Sequence, residues 1–400
     1  MTVRWETKSL KEVSGFQGGS QPPKSKFINE PREGYVRLLQ IRDFKRDDKA
    51  VYIPIAKNNR SCTDDDIMIG RYGASVGQIH RGKSGSYNVA LIKTIPNSKL
   101  IDRDYFYHYL TSDLFQKPLI SVADRSAQAG FSKDDIANFQ IPLPPLPEQK
   151  RIVAILDEAF AGIDTAIANT EKNLANAREL FESYLNLIFA QPGLDWKERS
   201  LDDVCGIDSN LIDPRKEEFI DLPHIGAGNI VSKTGELLDV KTAREEGLKS
   251  GKFLFNEKMV LYSKIRPYLE KVVRPDFNGL CSADIYPLMP KEGLLVRDFL
   301  YYLLLSRQFT DYAIAGSARA GMPKVNRNHL FQYVTSFPEV SIQEKLSDQL
   351  NSIEIESKRL ELIYLEKLNS LKELKQSLLQ KAFSGELTAE ADKLMDDAVA

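Results

Sequence analysis

One eight-residue run in this chain has the spacing of a phosphate-binding loop. Residues 77–84 read GQIHRGKS, which satisfies the pattern GxxxxGK[ST] of nucleotide-binding proteins. Such a loop needs a buried strand before its first glycine and a helix that begins at its lysine, because the helix N-terminus binds the phosphates. Small residues precede the run, and SGSYN, a poor helix start, occupies residues 84–88. We therefore predict that this run does not bind a nucleotide.

Other motifs that would carry catalysis are missing from the sequence. The Asp/Asn-Pro-Pro-aromatic motif of an adenine methyltransferase is absent, since residues 144–146 read PPL. Neither metal-ligand spacing nor a GxSxG motif surrounds any of the four histidines, which are His80, His108, His224 and His329. We expect no catalytic residue, no metal site and no cofactor in this chain. An NTPase that uses Lys83 is the enzyme alternative.

Glycine-rich loops that carry basic and amide side chains offer a different chemistry. Arginine can donate two hydrogen bonds to guanine, glutamine can pair with adenine, and serine hydroxyls can bind phosphate. Glycine lets the backbone approach a ligand closely. Basic residues recur at similar places in two stretches of the chain, so we predict that these loops bind DNA, with plain turns as the alternative. The candidate DNA-binding residues are Arg71, Tyr72, Ser75, Gln78, Arg81, Lys83, Arg125, Gln128, Lys133, Lys264, Arg266, Lys271, Arg274, Arg319, Lys324 and Arg327.

These loops lie in a sequence that is duplicated. The repeated runs are WETKSLKEV at 5–13 and WKERSLDDV at 196–204, DYFY at 104–107 and DFLY at 298–301, and SAQAG at 126–130 and SARAG at 317–321. The offset between the copies is nearly constant and is far too long for a solenoid repeat. We therefore expect two copies of one domain, each followed by a connector.

Each copy begins with a mixed segment and ends with a long helix. Short apolar runs separated by Gly, Pro, Asn and Asp predict strands, and a helical stretch follows that begins near Asp102 and Asp104, or near Asp298. Residues 147–190 and 341–383 then have apolar or small residues at steps of three and four, which is typical of helices about 65 Å long.

The two apolar stripes predict that the long helices pair with each other, because neither helix is stable in water while its stripe is exposed. The first helix leads from copy one to copy two and the second returns, so the pair should be antiparallel. We predict an α+β fold in which two mixed α/β recognition domains are separated by an antiparallel coiled coil, with a pseudo-twofold internal repeat. The predicted segments are 1–145 and 193–339 for the domains, 146–192 and 340–385 for the spacer helices, and 386–400 for the tail.

Composition and charge limit the setting of the chain. The three cysteines are far apart in sequence, which predicts buried thiols in a reducing compartment. The chain begins without an apolar run and has no stretch of about 18 apolar residues, so we expect a cytoplasmic protein without a membrane span. The formal net charge of −2 combines +6 over residues 1–146, −3 over residues 147–190, −1 over residues 191–340 and −4 over residues 341–400. A basic first copy is compatible with DNA.

Two signature runs add a resemblance that covers essentially the whole chain. Residues 141–152 read IPLPPLPEQKRI before the first long helix, and residues 379–387 read LQKAFSGEL at the end of the second. The second copy retains Pro338 and Gln343 of the first signature. With the duplication, these runs resemble the specificity subunits of type I restriction–modification systems.

The resemblance implies that each recognition domain reads one half of a bipartite, asymmetric site in double-stranded DNA, and that the helices act as a caliper between the half-sites. It also implies two modification subunits, which bind S-adenosylmethionine and methylate adenine, and restriction subunits, which use ATP. Neither cofactor would bind to this chain, which would be non-catalytic. The alternative is a coiled-coil interaction scaffold that does not bind DNA.

Overall fold

The computed structural model describes residues 5–124, 130–207, 210–317 and 323–389, which divide into two compact units. Within these ranges, unit 1 consists of residues 1–170 and 366–400, and unit 2 consists of residues 171–365. Each unit therefore contains part of each long helix. The predicted division into recognition domains and spacer helices cuts the chain at other positions, and those boundaries stay a prediction.

Unit 1 is a mixed domain that continues into the first long helix. Its elements are β1 (Thr7–Ser9), α1 (Leu10–Val13), β2 (Ser14–Gly18), β3 (Tyr35–Leu39), β4 (Tyr52–Pro54), β5 (Ser61–Cys62), β6 (Met68–Gly70), β7 (Ile79–His80), β8 (Gly85–Tyr87), β9 (Leu91–Pro96), α2 (Arg103–Thr111), α3 (Asp113–Ala123), α4 (Lys133–Ile136), β10 (Gln140–Pro142) and α5 (Leu146–Ala190), which belongs to unit 2 from residue 171 onward.

Unit 2 repeats this order with one extra strand. Its elements are β11 (Lys197–Ser200), α6 (Leu201–Val204), β12 (Cys205–Ile207), β13 (Leu211–Ile212), β14 (Pro223–Ile225), β15 (Lys241–Thr242), β16 (Lys252–Phe255), β17 (Val260–Ser263), β18 (Val272–Val273), β19 (Gly279–Cys281), β20 (Ile285–Pro290), α7 (Arg297–Leu305), α8 (Arg307–Ala315), α9 (Arg327–Phe331), β21 (Val334–Phe337) and α10 (Val340–Ser384), which belongs to unit 1 from residue 366 onward.

Sheet topology confirms the duplication strand by strand. The order β2-β9-β6-β7 in unit 1 matches β12-β20-β17-β18 in unit 2, and both sheets are antiparallel. The order β4-β3-β8-β5 matches β15-β14-β19-β16, to which unit 2 adds β13. In each of these sheets the central pair, β3 with β8 or β14 with β19, is parallel. The fold is the predicted α+β class.

A helical hairpin covers the antiparallel sheet in each unit. Asp102 caps α2, where its carboxylate accepts from the N–H groups of Asp104 and Tyr105 at 3.0 and 3.1 Å, as acidic residues at this start predicted. Large aromatic side chains on α2 and α7 are fully buried, among them Tyr105 and Phe299. The core of unit 1 also includes residues from both long helices, namely Ile152, Leu156, Leu379, Ala382 and Phe383.

The long helices run antiparallel within each unit. In unit 2, Arg178 pairs with Glu361 at 3.0 Å, and further along α5 the Tyr184 hydroxyl donates to Gln349 at 3.2 Å. In unit 1, Asp164 of α5 pairs with Lys375 of α10. The apolar stripe predicted for residues 341–383, which should form the seam with the first long helix, includes Leu374. The prediction is wrong at this residue, which is 46% exposed, because Lys375 takes the facing position and its Nζ lies 4.9 Å from the ring of Phe160.

Both long helices hold each domain through amide side chains. The N–H of Asp113 at the start of α3 donates to Gln376 of α10 at 3.2 Å, whereas the N–H of Arg307 at the start of α8 donates to Asn186 of α5 at 2.9 Å. In each unit, the helix that makes this contact is the one that does not directly follow that unit's own domain along the chain. The exchange is what a duplicated chain with antiparallel connectors requires.

The cysteines are buried thiols, as their wide spacing in the sequence predicted. Cys62, Cys205 and Cys281 are free and buried. Burial raises the pKa of the Cys205 thiol to about 12, so this group stays neutral. Among the described residues, no helix is long and apolar enough to span a membrane.

Candidate nucleic-acid interface

The first pair of predicted loops forms the same turn in both units. The N–H of Gly70 donates to the carbonyl of Gln78 at 2.8 Å, and the N–H of Ser263 donates to that of Lys271 at 3.0 Å. Inside the turn, the Val76 N–H donates to Gly73 at 3.1 Å and the Leu269 N–H to Arg266 at 2.9 Å. These bonds align residues 70–78 with residues 263–271, one position for one position.

Each turn is joined to the second predicted loop of its own unit. Tyr72 forms an antiparallel bridge with Gly130, and Ile265 forms one with Lys324. A Cβ atom on Gly130 would lie 2.7 Å from the ring of Tyr72, so this close approach requires glycine. The structure therefore brings together candidates that lie about 60 residues apart in sequence, and it does so in both copies.

Around this bridge, some of the unit 1 candidates are held by hydrogen bonds to the backbone, and Tyr72 is exposed to solvent. The Arg71 Nε donates to the carbonyl of Phe131 at 2.7 Å, and its guanidinium lies 4.9 Å from the ring of Tyr72, which is 42% exposed. The Ser75 hydroxyl donates to Tyr72 at 2.6 Å and the Gln78 amide to Ala74 at 3.0 Å.

Lys133 and Arg327 occupy the same structural position. Each is the first residue of a short helix, α4 or α9, after a capping side chain, Ser132 or Asn326. Both are exposed, and Arg327 lies over the ring of Phe331 at 5.6 Å. The helix N-terminus adds partial positive charge beside each cation.

The unit 2 candidates surround one carboxylate. Asp284 lies 3.1 Å from Lys324 and 3.8 Å from Lys264. Burial lowers the pKa of Lys264, and the charge of Lys324 acts in the same direction. The Lys271 Nζ donates to the carbonyl of Ala227 at 2.5 Å. Asp284 thus limits the net charge here and fixes the position of Lys324, which is half exposed.

Two of the predicted DNA-binding arginines pair with an aspartate of their own domain. Arg81 pairs with Asp104 at 2.7 Å and lies 4.0 Å from the Tyr107 ring. Arg274 pairs with Asp298 at 2.8 Å and lies 4.4 Å from the Tyr301 ring. The two networks are equivalent, and each ties the strand that follows the turn to the hairpin helix.

Arg274 is the more deeply engaged of this pair. Its guanidinium also donates to Asn351 at 2.5 Å and lies 3.6 Å from Glu354, both on α10. The Tyr302 hydroxyl donates to Glu354 at 2.9 Å. Because its donors are used inside unit 2, Arg274 attaches the domain to α10 and has little capacity left for a ligand.

Lys83 is likewise paired within its own unit. Its Nζ lies 2.8 Å from Asp47, and this hydrogen bond, together with that from Arg37, lowers the pKa of the Asp47 carboxyl. Strand β8 begins at Gly85, two residues later, so no helix N-terminus follows the lysine. Residues 77–84 therefore lack the helix that a phosphate-binding loop requires after its lysine. Three candidates, Arg125, Gln128 and Arg319, lie outside the described residues.

A buried glutamine positions each domain on its following helix. Gln149 accepts from the Asp102 N–H at 2.7 Å and donates to Leu100 and Pro144 at 3.0 and 2.8 Å. Gln343 repeats this with Val296 at 2.9 Å, Leu294 at 3.0 Å and Pro338 at 2.9 Å. Both glutamines are fully buried. The signature run contained them, but only the structure reveals this role.

One exposed aromatic residue near the second turn was missed from the sequence. Tyr268 is 51% exposed and lies two residues after Arg266 in the turn. An aromatic side chain in a basic loop is a feature of nucleic-acid-binding surfaces. The signal available in the sequence was therefore Tyr268 itself, next to Pro267 in a predicted loop.

Comparisons with known proteins agree with this arrangement. The family model "Type I restriction modification DNA specificity domain" matches residues 2–176 and 193–373. The Escherichia coli type I restriction enzyme EcoDI specificity subunit is 27% identical over 340 residues, which cover 77% of this chain and 75% of that protein. The Methanocaldococcus jannaschii MjaVIII specificity subunit is 22% identical over 390 residues, covering 91% of this chain and 89% of the relative.

Two solved structures have the same fold. A chain from a study of complex assembly and conformational transition in a type I R-M system superposes with a TM-score of 0.76 at 18% identity, covering 96% of this chain and 98% of that one. The HsdS subunit from Thermoanaerobacter tengcongensis gives a TM-score of 0.57, also at 18% identity, with coverage of 96% and 97%.

Proposed function

This chain belongs to the type I restriction–modification DNA specificity family, and on that premise we propose that its two recognition domains read the two different halves of one bipartite DNA site. Family membership makes it the sequence-recognition subunit of a complex that also contains modification and restriction subunits. The observation that carries the proposal is the turn built twice, at 70–78 and 263–271, with one backbone and different side chains. Two domains that share one turn conformation but carry different side chains on it are suited to recognise two different half-site sequences.

The proposal assigns the contacts to the side chains that remain available around each turn. In the first domain these are Tyr72, Ser75, Gln78 and Lys133, with Arg71 supporting the turn. In the second domain they are Arg266 and Arg327, whereas Lys264, Lys271 and Lys324 have partners within their own domain and support the turn. Arg125, Gln128 and Arg319 stay predicted contacts. Arg81, Lys83 and Arg274 are left out of the proposed contacts, because pairs within their own units engage them.

The chain would supply recognition without chemistry of its own. We propose that two modification subunits bind to it and carry S-adenosylmethionine, that the restriction subunits carry ATP, and that the complex acts in the cytoplasm, where its DNA substrate is. The segments 1–145 and 193–339 would be the recognition domains, with 146–192 and 340–385 as spacers.

Methylome sequencing tests this function directly. The full chain is expressed with its modification subunit in a host that lacks other adenine methylation. We expect one new methylated motif with two unlike halves and a fixed gap. No new methylation, or a motif without a gap, would overturn the proposal.

Lys133→Ala and Arg327→Ala then serve as controls for each other, because the two residues occupy equivalent positions. Each should weaken binding of the duplex and reduce the log-log salt slope by about 1. A complex that does not bind the duplex at any salt concentration would favour the scaffold alternative, whereas phosphate contacts give a log-log salt slope near −0.9 for each contact.

A further inference from the structure

The repeated turn has two backbone positions in the left-handed region. In unit 1 glycines occupy both, with φ of 56° at Gly73 and 77° at Gly77. In unit 2 the aligned positions are Arg266 and Glu270, with φ of 50° and 49°. Glycine adopts this conformation freely, whereas an L-residue with a side chain is strained there. Unit 2 therefore keeps two strained residues where the same turn is built without strain in unit 1.

The backbone of Arg266 is held firmly in this conformation. Its N–H donates to the carbonyl of Pro323 at 2.8 Å, and its carbonyl accepts from the N–H of Leu269 at 2.9 Å. Pro267 follows and has a fixed φ of its own. The direction in which the side chain leaves the turn is thus set by the fold.

The guanidinium of Arg266 is exposed and has no hydrogen bond or ion pair among the residues that the structure describes. The basic side chains near it do have partners. Lys264 and Lys324 share Asp284, and the Lys271 ammonium donates to a backbone carbonyl. Exposed Tyr268 lies in the same turn. A strained residue whose side chain has no hydrogen bond or ion pair among the described residues of its domain is a candidate for a ligand contact.

We propose that Arg266 is a direct DNA contact of the second recognition domain and that the first domain, with Gly73 at this position, lacks the equivalent contact. The inference rests on the proposed function. A guanidinium binds either the O6 and N7 atoms of guanine or two phosphate oxygens, with the same forked geometry. Both sources lie on the DNA, and the test separates them.

Arg266→Gly gives unit 2 the residue that unit 1 already has, so folding is preserved. The protein used is the full chain in complex with its modification subunits, and the probe is a duplex that carries the motif methylated by the wild-type complex. We expect thermal stability equal to or above wild type and DNA affinity reduced roughly five- to 100-fold. Glu270→Gly is the matched control, because it removes the same backbone strain in the same turn without removing a cation. Its affinity should stay within about twofold of wild type.

The pattern of loss identifies the atoms that Arg266 contacts. If Arg266 contacts a guanine, the complex with Arg266→Gly should accept other bases at one position of the second half-site and methylate those sites as well. A phosphate contact predicts uniform weakening on all sequences and a salt slope smaller by about 1. Arg266→Gly with unchanged affinity, salt slope and methylated motif overturns this inference alone. A wild-type complex that binds no DNA overturns the proposed function as well.

Discussion

Replacing Gln149 by leucine tests how each domain is attached to its helix. Leucine has nearly the same volume, so the change removes one acceptor and two donors without opening a large cavity. The Asp102 N–H loses its bond of 2.7 Å, and the carbonyls of Leu100 and Pro144 lose theirs of 3.0 and 2.8 Å.

The cost follows from these three groups. An unsatisfied buried donor costs about 1–3 kcal/mol, and each lost carbonyl bond costs about 0.5–1.5 kcal/mol. We therefore expect the free energy of unfolding of unit 1 to fall by about 2–6 kcal/mol. Gln343→Leu should cost unit 2 a similar amount, because its three bonds have nearly the same lengths.

Tryptophan fluorescence reports each unit separately. The chain has two tryptophans, of which Trp5 packs on the core of unit 1 and Trp196 lies 6.2 Å from Phe299 in unit 2. Urea denaturation in a Trp196→Phe background follows unit 1, and a Trp5→Phe background follows unit 2. Gln191→Leu is the control, since this glutamine is exposed and should change stability by less than about 0.5 kcal/mol.

Two results would refute the reasoning. A loss below about 1 kcal/mol in unit 1 for Gln149→Leu would show that the three bonds are replaced by water or by relaxation. A loss reported by Trp196 but not by Trp5 would show that the glutamine acts elsewhere.

Three further predictions concern paired side chains. Arg274→Met should destabilise unit 2 by about 2–4 kcal/mol, because it removes the cation that pairs with Asp298 and leaves Lys358 as the remaining partner of largely buried Glu354, while methylome sequencing should find the wild-type motif. Burial lowers the pKa of His108 despite its bond to Asp157 at 2.9 Å, so the unfolded chain binds more protons between that lowered pKa and the ordinary value of 6.5. The stability of unit 1 should therefore increase with pH across this window and fall as pH drops through it, and urea titrations of His108→Gln should show a smaller slope; an unchanged slope would contradict the assignment. Lys83→Ala should leave nucleotide binding at the background level of the wild type in equilibrium dialysis, and should restore the ordinary pKa of Asp47 only in part, because Arg37 remains.

The duplication and the helices could be predicted because they depend on periodicity and on a constant offset. The seam fails at Leu374 since a regular pattern does not reveal that Lys375, paired with Asp164, faces α5. The bridge between Tyr72 and Gly130 could not be predicted, because it joins residues far apart in sequence.

Recurrence in both copies was also a weaker guide to function than it first suggests. Arg81 and Arg274 recur because each pairs with an aspartate that recurs with it, Asp104 or Asp298. A duplicated fold repeats its structural pairs as faithfully as its binding groups. The position that differs between the copies, Gly73 against Arg266, is the more informative one.

The contribution of α10 to unit 1 has a consequence for synthesis of the chain. Unit 2 is continuous over residues 171–365, whereas the core of unit 1 is closed by Leu379, Ala382 and Phe383. At about 5–20 residues per second, a ribosome that has finished residue 170 needs roughly 10–40 s more to reach residue 366. During that time, the apolar surface of unit 1 that these three residues will cover stays exposed. The domain that is made first is therefore the last to be completed.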